Sequence, residues 1–485
     1  MAGFTGIHIA KTGMAAQQKA LEVTAHNIAN ANTKGYSRQM AKMATTAPMP
    51  FVEGKGSLGS GVKVAEITRV RDDFLSMQIR KEMNTLGAWD NRSQVLEQIE
   101  MVFNEPAETG LNEVLSRFFD SWQDVSLHPE SSPVRAVLME NADALTQSVR
   151  HIHQQLKTVR RDIDDQVVLK VMEMNSAAEQ IKDLNTQITQ AASVGSTPAD
   201  LLDRRDLLVD TMSQIADVTI QASQSGAINM YLGGRTLVQE GTAYQLKTAS
   251  HQGGGGADWP AAPSIVWERD GREVAVRGGE IGGLLEVRDV NVKTYMEDFS
   301  SLVWGLSQAV NDLHEQGMDL EGELGQSFFV GDHLENWTVN ADIKDSLYKV
   351  AAASYDAEKP NPGDGSWAVK IAQLRQQPMV LHKEAPVSKR LTMPGEEQVA
   401  TTTLENFYRD SVARLGVDSQ ESQRMTENQT TLLEMMKARQ DAISGVSIDE
   451  ELAHMVQFQM AYQANARLIT TFDDLLDTVV NRMLR

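Results

Sequence analysis

Apolar residues recur at helical spacing along most of the chain. At the start, Ile7, Met14, Leu21 and Ile28 stand seven residues apart, with Phe4 and Ala25 on the alternate seam and Lys11 and Gln18 as polar interruptions. This spacing predicts a helix with a coiled-coil face. At the far end Ile448, Leu452, Met455, Tyr462, Ala466, Ile469, Leu476, Val480 and Met483 follow four-three spacing, broken by Gln459 and Asp473. The two ends read alike. From about Asp72 to Val218 the pattern predicts helix almost throughout, with breaks near Asn104 to Gly110, His128 to Pro133 and Gly195 to Pro198. Residues 396–445 resume it through Leu404, Tyr408, Val412 and Leu415, then Met425, Leu432, Met436 and Ile443.

Between these helical stretches the period changes. Val218 to Gln221, Ile228 to Leu232, Thr236 to Val238, Tyr244 to Leu246, Ile265 to Trp267 and Val274 to Val276 are short runs separated by glycine-rich turns, including Gly253 to Gly256. Helix returns over 286–316, and 317–395 mixes Gly and Pro loops with short elements, including a helical segment after Gly365. The predicted fold class is multidomain α+β, with terminal helices forming a coiled coil, a long-helix bundle domain and an inserted β-rich outer domain. Residues 1–40 with 446–485 make the inner unit. Residues 41–215, 281–316 and 366–445 make the helical body, and 216–280 with 317–365 the outer one.

Composition narrows the chemistry. The 485 residues are 41% hydrophobic and 23% charged, as in folded proteins, and a net charge of -21 opposes attraction to phosphate backbones or anionic lipid. Neither nucleic acid nor a membrane is an expected partner. Cysteine is absent, which removes disulfides, thiolate nucleophiles and Cys-ligated metals. No cleavable export signal or spanning stretch of about 18 apolar residues is read from the sequence. The charge is also unevenly placed. Lys11, Lys19, Lys34 and Arg38 outnumber Glu22 at the start, whereas Asp449, Glu450, Glu451, Asp473, Asp474 and Asp477 outnumber Arg467, Arg482 and Arg485 at the end. Opposite charge favours pairing of the first helix with the last. Two such helices alone bury too little to offset the entropy of ordering them, so the termini are expected to be mobile in the monomer and ordered in an assembly.

The most specific stretch is NIANANTKGYSRQ, Asn27 to Gln39, which reads as a helix end, then turn-forming Asn, Thr and Gly, then an extended Tyr-Ser-Arg. The phrase resembles the signature of the bacterial flagellar rod, hook and hook-associated proteins. Its GYSRQ ending is most similar to the hook-filament junction family. LLDRRDLLVDTMSQIADV at 201–218, INMYLGGRTLVQEG at 228–241, GGEIGGLLEVRD at 278–289, NDLHEQGMDLEG at 311–322 and the stretch from Ile443 to Val480 resemble that family in the same order. Residues 330–395 and the loop 251–263 follow no pattern of it.

The resemblance implies a structural subunit that leaves the cell unfolded through the flagellar type III export apparatus and polymerises into a thin ring. Implied partners are further copies of itself, the hook protein, a second junction protein on the filament side and an export chaperone at the C-terminal region. The implied location is outside the cell, between hook and filament. A hook or distal rod protein is the alternative within the class. An axial subunit carrying an enzymatic insert within 217–395 is the alternative outside it.

On this reading Asn27, Asn30 and Asn32 either satisfy their own backbone or meet a neighbouring subunit, and Tyr36 and Arg38 face a partner surface. Ile7, Met14, Leu21, Ile28, Leu452, Met455, Tyr462, Ile469 and Leu476 are expected at subunit interfaces, although Met455 and Phe458 also suit a plain helical core. Candidates for chemistry are weaker. His151 and His153 stand two apart on a predicted helix and do not share a face. Asp203 and Asp206 form a charged face expected to pair with Arg204, Arg205 or solvent. The glycines at 253–256 lack a phosphate-loop setting, and Asp319, Glu321 and Glu323 lack calcium-loop spacing. No cofactor, metal or catalytic residue is expected.

Overall fold

A computed structural model describes residues 2–50, 57–105, 110–195, 197–249, 262–355, 361–384, 388–393 and 401–478. The chain opens with α1 (Ala2–Ala29), then a long antiparallel hairpin of β1 (Gln39–Thr45) and β4 (Val62–Arg69), with the short pair β2 (Met49–Pro50) and β3 (Ser57–Leu58) inside it. Residues 41–71 were expected within the helical body; instead this ribbon lies against α1. Its alternation of Lys, Glu and Thr with Val, Ile and Ala suits a half-buried strand pair better than a helix face.

The body is helical. α2 (Asp73–Phe103), α3 (Leu111–Leu127), α4 (Ser132–Ser193) and α5 (Ala199–Ile215) follow one another, with breaks where the sequence places them. Asp72 caps α2 by accepting from the Leu75 backbone, and Asn104 ends it in the left-handed conformation. At 1.5 Å per residue, the 62 residues of α4 make a rod about 90 Å long. Its inner face runs Leu138, Ala142, Leu145, Val149, Ile152, Leu156, Ile163, Val167, Met174 and Ile181, all buried.

The β elements lie along this rod in two separate places. β5 (Val218–Ala222), β6 (Ile228–Leu232), β7 (Arg235–Gln239) and β8 (Thr242–Ala243) form an antiparallel sheet in that order, and β9 (Leu246–Ala249) pairs with β10 (Ser264–Trp267). After α6 (Gly279–Glu286), a π-helical turn (Val287–Val292) and α7 (Lys293–His314), short pieces follow: β11 (Gly317–Met318), β12 (Phe329–Val330), β13 (Thr338–Val339), α8 (Ala341–Asp345), β14 (Ala353–Ser354) and α9 (Ser366–Gln373). β11 pairs with β14 and β12 with β13. Residues 216–280 and 317–365 were expected to share one outer domain, yet among the described residues no strand of one pairs with a strand of the other. The first group is tied near Asn175 and Asn185 of α4, and the second near Arg135, Asp143 and Lys157. The Val274 to Val276 run forms no strand, although both valines are buried.

The chain returns through the hairpin β15 (Val380–Glu384) and β16 (Ser388–Thr392) to α10 (Leu404–Ser444) and α11 (Ile448–Asp477). α10 packs on α7 and then along α2, where Leu75, Ile79 and Leu433 form a small cluster. A single continuous core joins the rest of the body. Its densest part is aromatic: Phe118, Trp122, Phe328, Phe329 and Trp337 pack together, with the Phe329 and Trp337 rings stacked at 4.5 Å.

One device recurs. A helical asparagine turns its side-chain amide toward a strand residue, donating to the backbone oxygen and accepting from the backbone N–H, as another strand would. Asn175 does this with Leu246 at 2.8 and 2.9 Å, Asn185 with Ile228 at 2.9 and 3.1 Å, and Asn311 with Phe329 at 2.8 and 2.9 Å. Each amide satisfies a strand edge that a helix could not otherwise hydrogen-bond.

Candidate assembly site

α1 and α11 run antiparallel against each other, as the sequence suggests, but along a different line. The buried positions of α1 are Ala10, Gly13, Ala16, Ala20, Val23, Thr24 and Asn27. Ile7, Met14, Leu21 and Ile28 are half-buried beside them. The true seam is therefore the small-residue heptad Gly6, Gly13, Ala20 and Asn27, one residue earlier than the bulky one. Close approach explains the choice. A Cβ on Gly6 would run into the Phe472 ring, and one on Gly13 would lie 2.7 Å from the Asn465 amide oxygen. On α11 the matching line is Glu451, Met455, Phe458, Tyr462, Asn465, Ile469, Phe472 and Leu476, a four-three repeat; Glu451 is buried and the others half-buried.

A second set of apolar residues, spread over the outer face of α11, has no cover. Ile448, Leu452, Val456, Met460, Leu468 and Leu475 are exposed, Met460 by 66% and Leu475 by 56%. Val480 and Met483 lie outside the described residues. So many exposed apolar residues on one helix exceed what isolated surface leucines account for.

The NIANANTKGYSRQ stretch sits where α1, the hairpin, α5 and α11 meet. Asn27 is 1% exposed and repeats the asparagine device: its amide donates to the Gln39 oxygen at 2.9 Å and accepts from the Gln39 N–H at 2.9 Å. It also donates to Glu451 of α11, 2.9 Å away and 3% exposed, and accepts from the Tyr36 hydroxyl at 2.7 Å. Burial and the carboxylates of Asp200, Asp203 and Glu451 hold the Tyr36 phenol far above its usual pKa, so it stays a hydrogen-bond donor. Asn30 donates to the His26 backbone oxygen and accepts from Thr33, closing the helix end. Arg38 binds Glu450 at 3.1 Å, and its backbone N–H reaches Ser444 at 2.9 Å. Asn32 is exposed. Asn27 and Tyr36 are thus engaged within the chain, and Arg38 joins the first helix region to the last by the charge pairing the sequence suggests.

Below this node lies a second tie. Asp203, Asp206 and Asp210 occupy one face of α5, three and four residues apart. They are met from β4 and α2: Arg69 donates to Asp203 at 2.8 Å and to Asp206 at 2.7 Å, Arg71 to Asp206 at 2.8 Å, and Arg80 to Asp210 at 2.6 Å. Although burial alone would raise it, the arginines hold the Asp206 pKa below its ordinary 3.8; at Asp210 burial wins and the pKa rises. The expected pairing with Arg204 or Arg205 does not occur, because helical neighbours point away from each other. Arg205 instead turns inward to Asn185 and the Gly226 oxygen. Asp203 also accepts from the Ser37 N–H, and Asp200 from the Gln39 amide, so the ladder grips the motif itself. Periodicity revealed the charged face but not its distant partners.

The other candidates are placed apart. His153 is buried and His151 exposed, as their spacing implies. Asp319 accepts from the backbone N–H of Glu321 and Glu323, forming a turn. Among the described residues no group of three His, Asp or Glu is placed to hold a metal ion, and no helix is long and apolar enough to cross a membrane.

Three family models match this chain. Residues 7–36 match the flagella basal body rod protein, 96–329 the helical domain of the flagellar hook-associated protein FlgK, and 439–483 the flagellar basal body rod FlgEFG protein C-terminal region. Rod-type sequences at both paired termini around a helical body define a structural subunit of the flagellar axis. More narrowly, the matching helical domain and the full-length relatives support the flagellar hook-associated protein 1 family. It is 29% identical to the flagellar hook-associated protein 1 of Bacillus subtilis over 99% of this chain and 98% of that one. The protein of that name from Salmonella typhimurium is 24% identical over 98% and 99%. In fold it is similar to the flagellar hook junction protein FlgK from Burkholderia pseudomallei, at a TM-score of 0.63 and 16% identity, covering 76% of this chain and all of that one.

Proposed function

We propose that this protein joins hook to filament as a ring of identical subunits, and that its paired terminal helices fold fully as the ring forms. The observation that carries this is the uncovered apolar outer face of α11 from Ile448 to Leu475, flanked by Asp473, Asp474 and Asp477. A second copy is the occupant that fits. It presents the half-buried Ile7, Met14, Leu21 and Ile28 beside the exposed Lys11, a bulky apolar line with the opposite charge. Met455, Tyr462, Ile469 and Leu476 register the pair within each subunit, and Leu452 with Asn32 reaches outward. Further partners on this reading are the hook protein, a second junction protein on the filament side and, before export, a chaperone holding the C-terminal region. The site of action is outside the cell.

The role is architectural rather than catalytic. The acids that stand out in the sequence are used in holding the molecule together, Asp203, Asp206 and Asp210 by arginines and Asp319 by backbone.

The test is removal of residues 1–30 or 450–485 from the chromosomal copy. The expected outcome is a soluble, folded body that fails to enter the junction, leaving cells with hooks but no filaments. Normal filaments from either truncation would refute the assignment.

A further inference from the structure

α6, the π-helical turn and α7 form one unbroken rod from Gly279 to His314. Within it the turn at Val287–Val292 is wider than an α-helical one, which is how a single added residue is accommodated in a helix.

Both sides of this turn are firmly seated. On α6, Gly283 lies so close to α2 that a Cβ there would collide with the Ala88 oxygen, and Gly87 faces Gln214 and Glu280 just as tightly. On α7, Phe299, Leu302, Val303 and Leu306 are embedded in the body core. The turn between them is held by polar groups. Arg288 is 4% exposed and donates to Asp164 of α4 at 2.8 Å and to the Pro263 oxygen at 3.0 Å. One turn on, Asn291 and then Tyr295 donate to Asp418 of α10, at 3.2 and 2.6 Å. The Asn291 amide oxygen is buried and finds no donor among the described residues. Val290 points outward. Successive turns of this segment are thus tied to α4 on one side and to α10 on the other, and α10 is the helix that leads into α11.

We infer that residues 287–292 are a compliant joint in this rod, at which α6 and α7 change their angle to one another. Helix bends concentrate at such turns because their hydrogen-bond ladder is already interrupted. The use of the joint, though not its existence, rests on the role proposed above: a subunit whose ends and body pack against different neighbours needs a place to give.

Hydrogen exchange on the full-length protein in solution tests the joint directly. Amides of the buried residues within 287–293 are expected to exchange at least about tenfold faster than those of 299–310. Equal protection of the two stretches would overturn the inference. Deleting Val290 restores a regular helix; the variant is expected to remain folded by circular dichroism, to lose the fast-exchanging amides and to leave cells swimming poorly. A folded deletion variant with wild-type swimming sinks the functional part. Should that variant not fold, Asn291→Ala with Tyr295→Phe cuts the ties to Asp418 and keeps the helix length. Exchange in 287–293 must then rise further, and no change counts against the joint. The exchange experiment uses the isolated chain, so its failure is distinct from failure of the junction role, which shows as wild-type protein absent from the junction.

Discussion

The body and the terminal pair are built on opposite plans. In the body, large side chains face inward: Trp122, Phe118, Phe328 and Leu138 are almost wholly buried, and the surrounding helices and strands share one core. In the terminal pair the closest seam is made of Gly and Ala, the one deeply buried residue of α11 among those described is Glu451, and its large apolar residues are half-buried or exposed. Dispersion and hydrophobic burial scale with the size of what is enclosed, so the first plan is complete in one chain and the second is not. On the proposed role, the difference separates what folds from what assembles.

Four variants sharpen that contrast, taken from the largest expected loss of stability to the smallest. Phe118→Ala empties the aromatic cluster and is expected to cost about 4 kcal/mol in urea unfolding, with assembly falling in proportion. Asp206→Asn leaves Arg69 and Arg71 underpaired and is expected to cost about 3 kcal/mol at neutral pH. Its pH dependence has a definite sign: the folded pKa lies below the ordinary 3.8, so the stabilisation is complete above that value and disappears as the acid group protonates at lower pH. Wild type and variant should therefore converge in stability on acidification, and a gap that stays constant to strong acid rules out the ion pairs as its source.

Asn27→Ala removes four hydrogen bonds at the node and is expected to cost about 2 kcal/mol, read as faster exchange in α11 and the hairpin with the aromatic cluster unaffected. Met460→Ser with Leu468→Ser should change the melting of the monomer by less than about 0.5 kcal/mol, since both are already in water. The same pair is expected to abolish incorporation at the junction. A matching loss in both measurements would place these residues in a core instead.

Legibility in the sequence divided along similar lines. Helix extents, the breaks near Asn104, His128 and Gly195, and the pairing of first helix with last were all visible, because periodicity and punctuation are local signals. The seam itself was misplaced by one residue. Ile7, Met14, Leu21 and Ile28 advertise a heptad by their size, whereas Gly6, Gly13 and Ala20 work by having almost no side chain, and a pattern of absence is hard to see. The arginine partners of Asp203, Asp206 and Asp210 lie more than a hundred residues away, and nothing in the spacing of α5 names them. Asn175, Asn185 and Asn311 passed unnoticed for a related reason: an asparagine inside a helix looks merely unfavourable until the strand it serves is known.

Those asparagines also fix how the molecule carries load. Apolar side chains can slide past one another at little cost until they lose contact, but a paired amide matches one backbone residue only, and a displacement of a single residue breaks both of its bonds at once. With such pegs at Asn27, Asn175, Asn185 and Asn311, strand and helix are indexed to each other at fixed points from the terminal pair into the body. Under the torque of a rotating shaft, that indexing converts shear between elements into tension on short, directional bonds loaded together.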